Sequence, residues 1–75
     1  MKVTYDSEVN AIYIQLSNEQ PDGVIELAEG INLDTTNENK IVGIEILDAS
    51  NKFDLKTILT YTLDLNEKVL SSKVA

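Results

Sequence analysis

Hydrophobic and polar residues alternate through much of the first fifty positions of the chain. Residues 2–6 alternate over a short stretch, and the next stretch places Ile12, Ile14 and Leu16 on one side. Successive side chains of a β-strand point to opposite faces, so a period of two predicts strands. Residues 7–10, which separate these stretches, are short enough for a hairpin loop, so the chain begins with two antiparallel strands.

A second alternating region follows a turn predicted at Pro21-Asp22-Gly23. Its apolar residues share one parity: Ile25, Leu27, Ile31 and Leu33. Unbroken alternation would also turn Glu29 inwards. The neighbouring Gly30 therefore predicts a bulge or bend that releases this carboxylate. Residues 34–39 form a polar loop, in which Asn37 or Asn39 can take a left-handed turn conformation.

Residues 41–47 are the most apolar stretch of the chain. Apolar side chains fall on both of its faces, so we expect a central strand whose second face is also covered. Together with one tyrosine of the second strand, that face forms a candidate interface: Tyr13, Ile41, Glu45 and Leu47. This face could be covered in either of two ways: by a second copy in a homodimer or by the C-terminal tail of the same chain.

The hydrophobic period changes after residue 50. The new pattern has the spacing of an amphipathic helix, with Leu55, Ile58, Leu59, Thr62 and Leu63 on one side. Asp54 suits the N-cap and Ser50 competes with it, whereas residues 64–75 stay open. We therefore predict an α+β fold in a single domain of residues 1–75. Its four- or five-stranded antiparallel β-meander packs one C-terminal α-helix, at about residues 54–63, on one face.

Charge divides the chain at the same place. Thirteen acidic residues and six lysines give a net charge of −7 over 75 residues. Residues 1–50 hold ten acids and two lysines, a net of −8, and residues 51–75 hold three acids and four lysines, a net of +1. The acidic β half should repel nucleic acid and attract a basic protein. A chain this short is marginally stable alone, so an oligomer or partner is expected.

Several residue types are missing from the chain: His, Cys, Arg and Trp. Without them there is no disulfide, thiolate ligand, thiol nucleophile or imidazole base. We therefore expect no catalytic, cofactor-binding or metal site, and a protein that is not an enzyme. A carboxylate-based metal-binding or hydrolytic activity at Asp34, Glu45 and Asp48 is a remote alternative. No apolar run approaches a membrane span and no signal peptide is evident, so we expect a cytoplasmic protein.

Four segments carry a distinctive pattern: Tyr5-Asp6, residues 10–14 (Asn-Ala-Ile-Tyr-Ile), residues 30–34 (Gly-Ile-Asn-Leu-Asp) and residues 42–50 (Val-Gly-Ile-Glu-Ile-Leu-Asp-Ala-Ser). Together they resemble the domain of unknown function 2283, a family of small bacterial, archaeal and phage proteins. The resemblance covers residues 1 to about 60. Asn10 stands where an acid is common, and Thr36 and Asn39 replace the usual Asp and Gly of a hairpin. We interpret the family-motif positions as structural: Tyr5, Asp6, Asp34, Gly43, Glu45, Asp48 and Ser50.

The resemblance implies a small antiparallel sheet backed by a helix. It also implies a function, because some members are encoded beside small RelE-like toxins and are treated as candidate antitoxins. The leading hypothesis is thus a non-enzymatic, antitoxin-like partner of a small basic toxin. The alternative is a self-associating, homodimeric structural module.

Two acidic residues near the end of the apolar stretch invite a structural interpretation. Asp48, together with Ser50, follows the central strand, where short polar side chains can accept backbone amides and fix the exit of the chain. Glu45 lies between isoleucines, where an unpaired charge is costly, so we expect it to have a lysine partner.

Overall fold

The computed structural model describes residues 1–52 and 54–59. Five strands form one sheet within them: β1 (Lys2–Asp6), β2 (Ala11–Gln15), β3 (Gly23–Ala28), β4 (Ile31–Thr35) and β5 (Ile41–Ile46). Their order is β1-β2-β5-β4-β3, and every neighbouring pair is antiparallel. The antiparallel sheet predicted from the alternation is confirmed, in its five-stranded form.

The predicted meander is wrong, because β5 lies between β2 and β4. In a meander, β3 would pair with β2; here the connection after β2 leads to the far edge, where β3 pairs with β4 alone among the described strands. The central place of β5 is confirmed. Beyond the end of β2, the Leu16 and Ser17 amides donate to the Val42 carbonyl at 2.8 and 3.1 Å, which extends the contact between these two segments.

The register gives the sheet an apolar face, built from two rows of side chains that cross all five strands. One row contains Val3, Ile14, Ile44, Leu33 and Ile25. The next contains Tyr5, Ile12, Ile46, Ile31 and Ala28. Paired residues on neighbouring strands share a face and stand close enough to pack, so the period of two in the sequence becomes one continuous hydrophobic surface.

Burial is concentrated where β2 meets β5. Ile12 is fully buried and Val42 is nearly so, whereas all six residues of β3 are exposed. Burying a side chain the size of isoleucine contributes about 1.5–3 kcal/mol to stability. The described sheet is therefore packed at its centre and open at its β3 edge.

Positive backbone φ angles occur at two of the predicted turns. Gly30 has a φ of 76° in the two-residue turn between β3 and β4, and its carbonyl accepts the Leu47 amide at 2.8 Å. The predicted bend at this glycine is thus confirmed, as a complete hairpin. Asn39, with a φ of 62°, occupies the left-handed position in the turn before β5.

The predicted α-helix packed on the sheet is wrong. The described residues contain no α-helix and only two short 3-10 turns, Ala49–Asn51 and Leu55–Leu59. The Asp54 carboxylate accepts the Lys56 amide at 3.0 Å, as a cap would. However, the Asp54 carbonyl accepts both the amide and the hydroxyl of Thr57, at 3.2 and 2.8 Å.

A hydrogen bond from residue 57 to residue 54 is the 3-10 pattern. It engages the Asp54 carbonyl, which in an α-helix would accept the amide of residue 58. The β-branched Thr57 and Ile58 also lower helix propensity. Residues 60–63 of the predicted helix and the tail at 64–75 lie outside the described residues. None of the helical segments in the described ranges has the length and hydropathy to cross a bilayer.

Candidate functional site

The second surface of the sheet is its polar face, again built from two rows of side chains. One row contains Thr4, Tyr13, Glu45, Asn32 and Glu26. The other contains Lys2, Gln15, Gly43, Asp34 and Val24. These two rows bring most of the polar residues of the strands together on one surface.

A tyrosine–aspartate hydrogen bond spans the centre of the polar face. Tyr13 on β2 donates from Oη to Asp34 Oδ2 on β4 at 2.8 Å, although β5 lies between them. Two strand spacings amount to about 10 Å, so the ring must lie across β5. Gly43 makes this crossing feasible, because a Cβ at that position would stand 2.1 Å from Tyr13 Oη. Gly43, the glycine of the family motif, therefore leaves the space that the Tyr13 ring occupies.

Glu45 lies beside this bond. It is the Cα partner of both Tyr13 and Asn32, and its Oε1 accepts a hydrogen bond from Asn32 Nδ2 at 3.2 Å. We expected a lysine beside Glu45, but among the described residues its hydrogen-bond partner is the neutral amide of Asn32. Because an amide donor does not neutralise the carboxylate, the negative charge of Glu45 stays on this face.

Burial raises the pKa of the Tyr13 phenol above its ordinary value of about 10. The hydrogen bond to Asp34 raises this pKa further, as do the negative charges of Asp34 and Glu45. Each cause disfavours the phenolate. At neutral pH Tyr13 is therefore a protonated hydrogen-bond donor, which suits a structural bridge and not a general base.

A second polar cluster, the Asn10 corner, joins the β1–β2 loop to the segment after β5; its members are Tyr5, Asn10, Asp48, Ser50 and Asn51. The Ala49 amide donates to the Asn10 carbonyl at 2.9 Å. Asn10 Oδ1 accepts the Ser50 amide at 3.1 Å and the Tyr5 hydroxyl at 3.0 Å. Asn10 Nδ2 donates to Ser50 Oγ at 2.9 Å. One side chain therefore fastens two segments forty residues apart.

Asp48 completes the Asn10 corner from the other side. Its Oδ1 accepts hydrogen bonds from Asn51 Nδ2 at 2.8 Å and from Asn10 Nδ2 at 3.4 Å. Both Asp48 and Asn10 have a φ of 53°, the left-handed conformation that Asp and Asn tolerate best after glycine. We expected the Asp48 carboxylate to accept backbone amides, but its partners are side-chain amides. The contacts of Asp48 and Ser50 support a structural role for both residues.

The four candidate interface residues do not form one apolar patch. Tyr13 and Glu45 face each other at the centre of the polar face. Ile41 and Leu47 are exposed near opposite ends of β5, about 20 Å apart at the rise of an extended chain. The structure thus brings two of the four together, and the homodimer stays a prediction.

The carboxylates of the remote metal or hydrolytic alternative are also divided. Asp34 and Glu45 lie on the polar face, whereas Asp48 belongs to the Asn10 corner. Across residues 1–52 and 54–59, no three acidic side chains are placed to hold a metal ion. Asp6, the remaining motif acid, accepts the Glu8 amide at 3.0 Å and shapes the β1–β2 loop.

Sequence reasoning missed the roles of Asn10 and Asn32 and the pairing of Tyr13 with Asp34. Two signals pointed towards them. A glycine inside a central strand often marks the close approach of another group, and Gly43 stands in the most apolar strand. An asparagine in a short loop is also a frequent left-handed residue, as Asn10 proves to be.

Fold and clusters together define a small five-stranded antiparallel sheet protein with a polar face, an apolar face and a hydrogen-bonded corner. Residues 2–50 match the family model described as "Protein of unknown function (DUF2283)". The chain belongs to this family, as its motifs indicated. No solved structure matches the chain.

A curated relative comes from Methanosarcina mazei and is named "Putative hypoxanthine phosphoribosyltransferase". It is 44% identical over 54 residues, which cover 72% of this chain and 43% of the relative. The chain therefore spans less than half the length of that protein.

Proposed function

We propose that this protein is a non-enzymatic binding module whose acidic sheet recognises a basic protein, in the manner of an antitoxin that neutralises a small basic toxin. The observation that carries the proposal is the placement of charge. Residues 19–38, which contain β3, β4 and their flanks, hold six acids and no lysine. The polar face presents Glu26, Asp34 and Glu45 from three neighbouring strands.

A surface of one sign attracts an oppositely charged protein, accelerates encounter and repels wrong partners. Lys2, at the β1 edge, is the one cation in the two rows of the polar face. A basic patch would therefore meet little local repulsion over β3, β4 and β5. The cytoplasmic location expected from the sequence remains part of this proposal.

The name of the Methanosarcina mazei relative does not extend to this chain. Phosphate groups are commonly bound at helix N-termini, often through glycine-rich loops, and the helical segments of the described residues are two short 3-10 turns. Titration of the chain with hypoxanthine tests whether it shares the substrate in the relative's name. Saturable binding of hypoxanthine would contradict the proposed function.

The test is co-purification of the tagged full chain with the proteins encoded beside its gene. We expect a basic protein to be retained at about 50 mM salt and largely released at about 500 mM, where charges are screened over a few ångströms. The variant E26Q/E45Q, which removes two charges from the polar face, should lower the affinity about tenfold.

The matched control is E8Q/D54N, which removes the same charge from two exposed positions outside residues 19–38 and should leave the affinity within about twofold. Retention of no basic protein would contradict the proposal. So would binding that is insensitive both to salt and to E26Q/E45Q.

A further inference from the structure

The two edges of the sheet differ in how they are protected. Edge strands expose unpaired backbone groups, and proteins usually guard them with charged side chains, proline or bulges. β1 carries Lys2 and Asp6 at its ends. β3 carries exposed apolar side chains in its interior, with 66% of Val24, 48% of Ile25 and 59% of Leu27 accessible to solvent. Within the described residues, no strand lies beyond β3.

The open part of this edge is short and regular. Gly23, Val24, Ile25 and Glu26 keep a constant register with β4, and the register shifts only between Glu26 and Ala28. Four residues span about 13 Å, enough for a short added strand. The bulge beyond them limits further pairing, since bulges locally disrupt the ladder.

The charge around the β3 edge indicates which kind of strand could pair with it. Glu19, Asp22, Glu26 and Glu29 lie on or beside β3, and the segment has no lysine. In an antiparallel pair of two copies, the acidic start of one β3 would face the acidic end of the other. Like charges across paired strands are destabilising, so charge complementarity favours a basic strand over a second copy.

We propose that the β3 edge, residues Gly23–Glu26, accepts an extended segment of a basic partner as a sixth strand. This inference rests on the proposed function and names its mode of binding. The added segment alternates apolar residues with lysine or arginine. Its apolar side chains pack beside Ile25 on the apolar face, and its cations meet Glu26 on the polar face. Main-chain hydrogen bonds supply affinity in such strand addition, and alternate side chains supply specificity.

The experiment uses the full chain and a capped synthetic peptide of about eight residues in which valine and lysine alternate. A peptide that alternates valine and glutamate is the control probe. We expect the lysine peptide to bind and to slow amide exchange in β3 at least tenfold, because added ladder bonds protect these amides. The glutamate peptide should do neither.

Two matched variants locate the contact. V24K places a lysine on the β3 edge and should weaken peptide binding about tenfold. S7K adds the same charge at an exposed position of the β1–β2 loop, outside the polar face, and should change binding by less than about twofold. Amide exchange in the unmodified chain remains a test even if V24K fails to fold.

The failures are distinguishable. If the lysine peptide binds and E26Q/E45Q weakens it, but β3 amides stay unprotected and V24K binds normally, the strand addition is overturned and the acidic binding face survives. If the chain protects its own β3 amides as its concentration rises, a second copy occupies the edge and the inference is wrong. Absence of both peptide binding and self-association also overturns it.

Discussion

Two groups of strands differ in how they are held: the corner strands, β1, β2 and β5, and the outer hairpin, β3 and β4. The corner strands contain the buried Ile12 and are fastened by the Asn10 corner. The outer hairpin, β3 and β4, ends in a strand with every residue exposed. The corner strands are thus held by both burial and a hydrogen-bonded corner, whereas β3, at the far edge of the described sheet, is exposed and rich in acidic neighbours.

Two side-chain hydrogen bonds join the two groups, Asn32–Glu45 and Tyr13–Asp34, and the second crosses β5. Tyr13 belongs to the corner strands and Asp34 to the outer hairpin, and the ring passes over Gly43 between them. Motif residues therefore need not mark a reaction. Here several of them join distant segments, and two of them, Asp34 and Glu45, also place negative charge on the polar face.

The largest effect should come from the Asn10 corner. N10A removes the side chain that contacts Tyr5, Asp48 and Ser50 and places alanine at a positive φ. We expect a loss of about 2–3 kcal/mol in the free energy of unfolding, measured by denaturant titration. N10G keeps the backbone conformation and should recover about 1 kcal/mol of that loss. A variant N10A as stable as the wild type would remove the distinction between the two regions.

G43A should cost about 2 kcal/mol of stability, because its methyl group would overlap the Tyr13 ring. The same substitution in a Y13A background meets no ring and should cost less than about 0.5 kcal/mol. Equal costs in both backgrounds, measured by urea unfolding, would show that the tyrosine does not lie across Gly43.

D48A should lower the free energy of unfolding by about 1 kcal/mol, because Asn10 and Asn51 lose an acceptor. D48N retains an oxygen acceptor and tolerates the positive φ, so its thermal midpoint should stay close to that of the wild type. A full loss in D48N would instead assign the effect to the negative charge.

Y13F should change the alkaline limb of the stability profile. The folded-state pKa of Tyr13 is raised above its unfolded value, so this stabilisation is fully present below about pH 10. It is lost as the pH rises through the folded-state pKa, because the unfolded chain releases the proton more readily. Unfolding titrations from about pH 9 to 11 should show a steeper fall for the wild type than for Y13F. Parallel curves would contradict the Tyr13–Asp34 bond.

V24T should have the smallest effect on stability, below about 0.5 kcal/mol, because Val24 is largely exposed and threonine suits a strand. Thermal denaturation is the measurement. A loss above about 1 kcal/mol would show that the β3 edge is packed as firmly as the corner strands.

Alternation along the chain predicted an antiparallel sheet but left its strand number at four or five, and the apolar residues on both faces of residues 41–47 predicted the central place of β5. Alternation could not predict the order of the strands, because a period of two assigns a side chain to a face but names no partner strand. Each predicted strand has a face that would fit beside β5, so the pattern left open that β2 and β4 are the two that flank it. The left-handed position of Asn39 and the bend at Gly30 were predictable because few residues tolerate positive φ.

The C-terminal helix shows where periodicity misleads. Leu55 and Ile58 have helical spacing, but the carbonyl of Asp54 is engaged by Thr57, and spacing carries no information about such local competition. The candidate site was predictable only as single residues. Glu45 stood out as a charge among isoleucines and Tyr13 was assigned to the same face, whereas Asn32 becomes visible as a neighbour only through the register.

The most direct test of the comparison is residue-resolved amide exchange of the unmodified chain. The Ala49 amide, bonded to the Asn10 carbonyl in a fully buried residue, should exchange as slowly as the amides of β5. The amides of β3 should exchange at least tenfold faster, since edges open without global unfolding. An Ala49 amide that exchanges as fast as those of β3, or faster, would contradict the account of a fastened corner and an open edge.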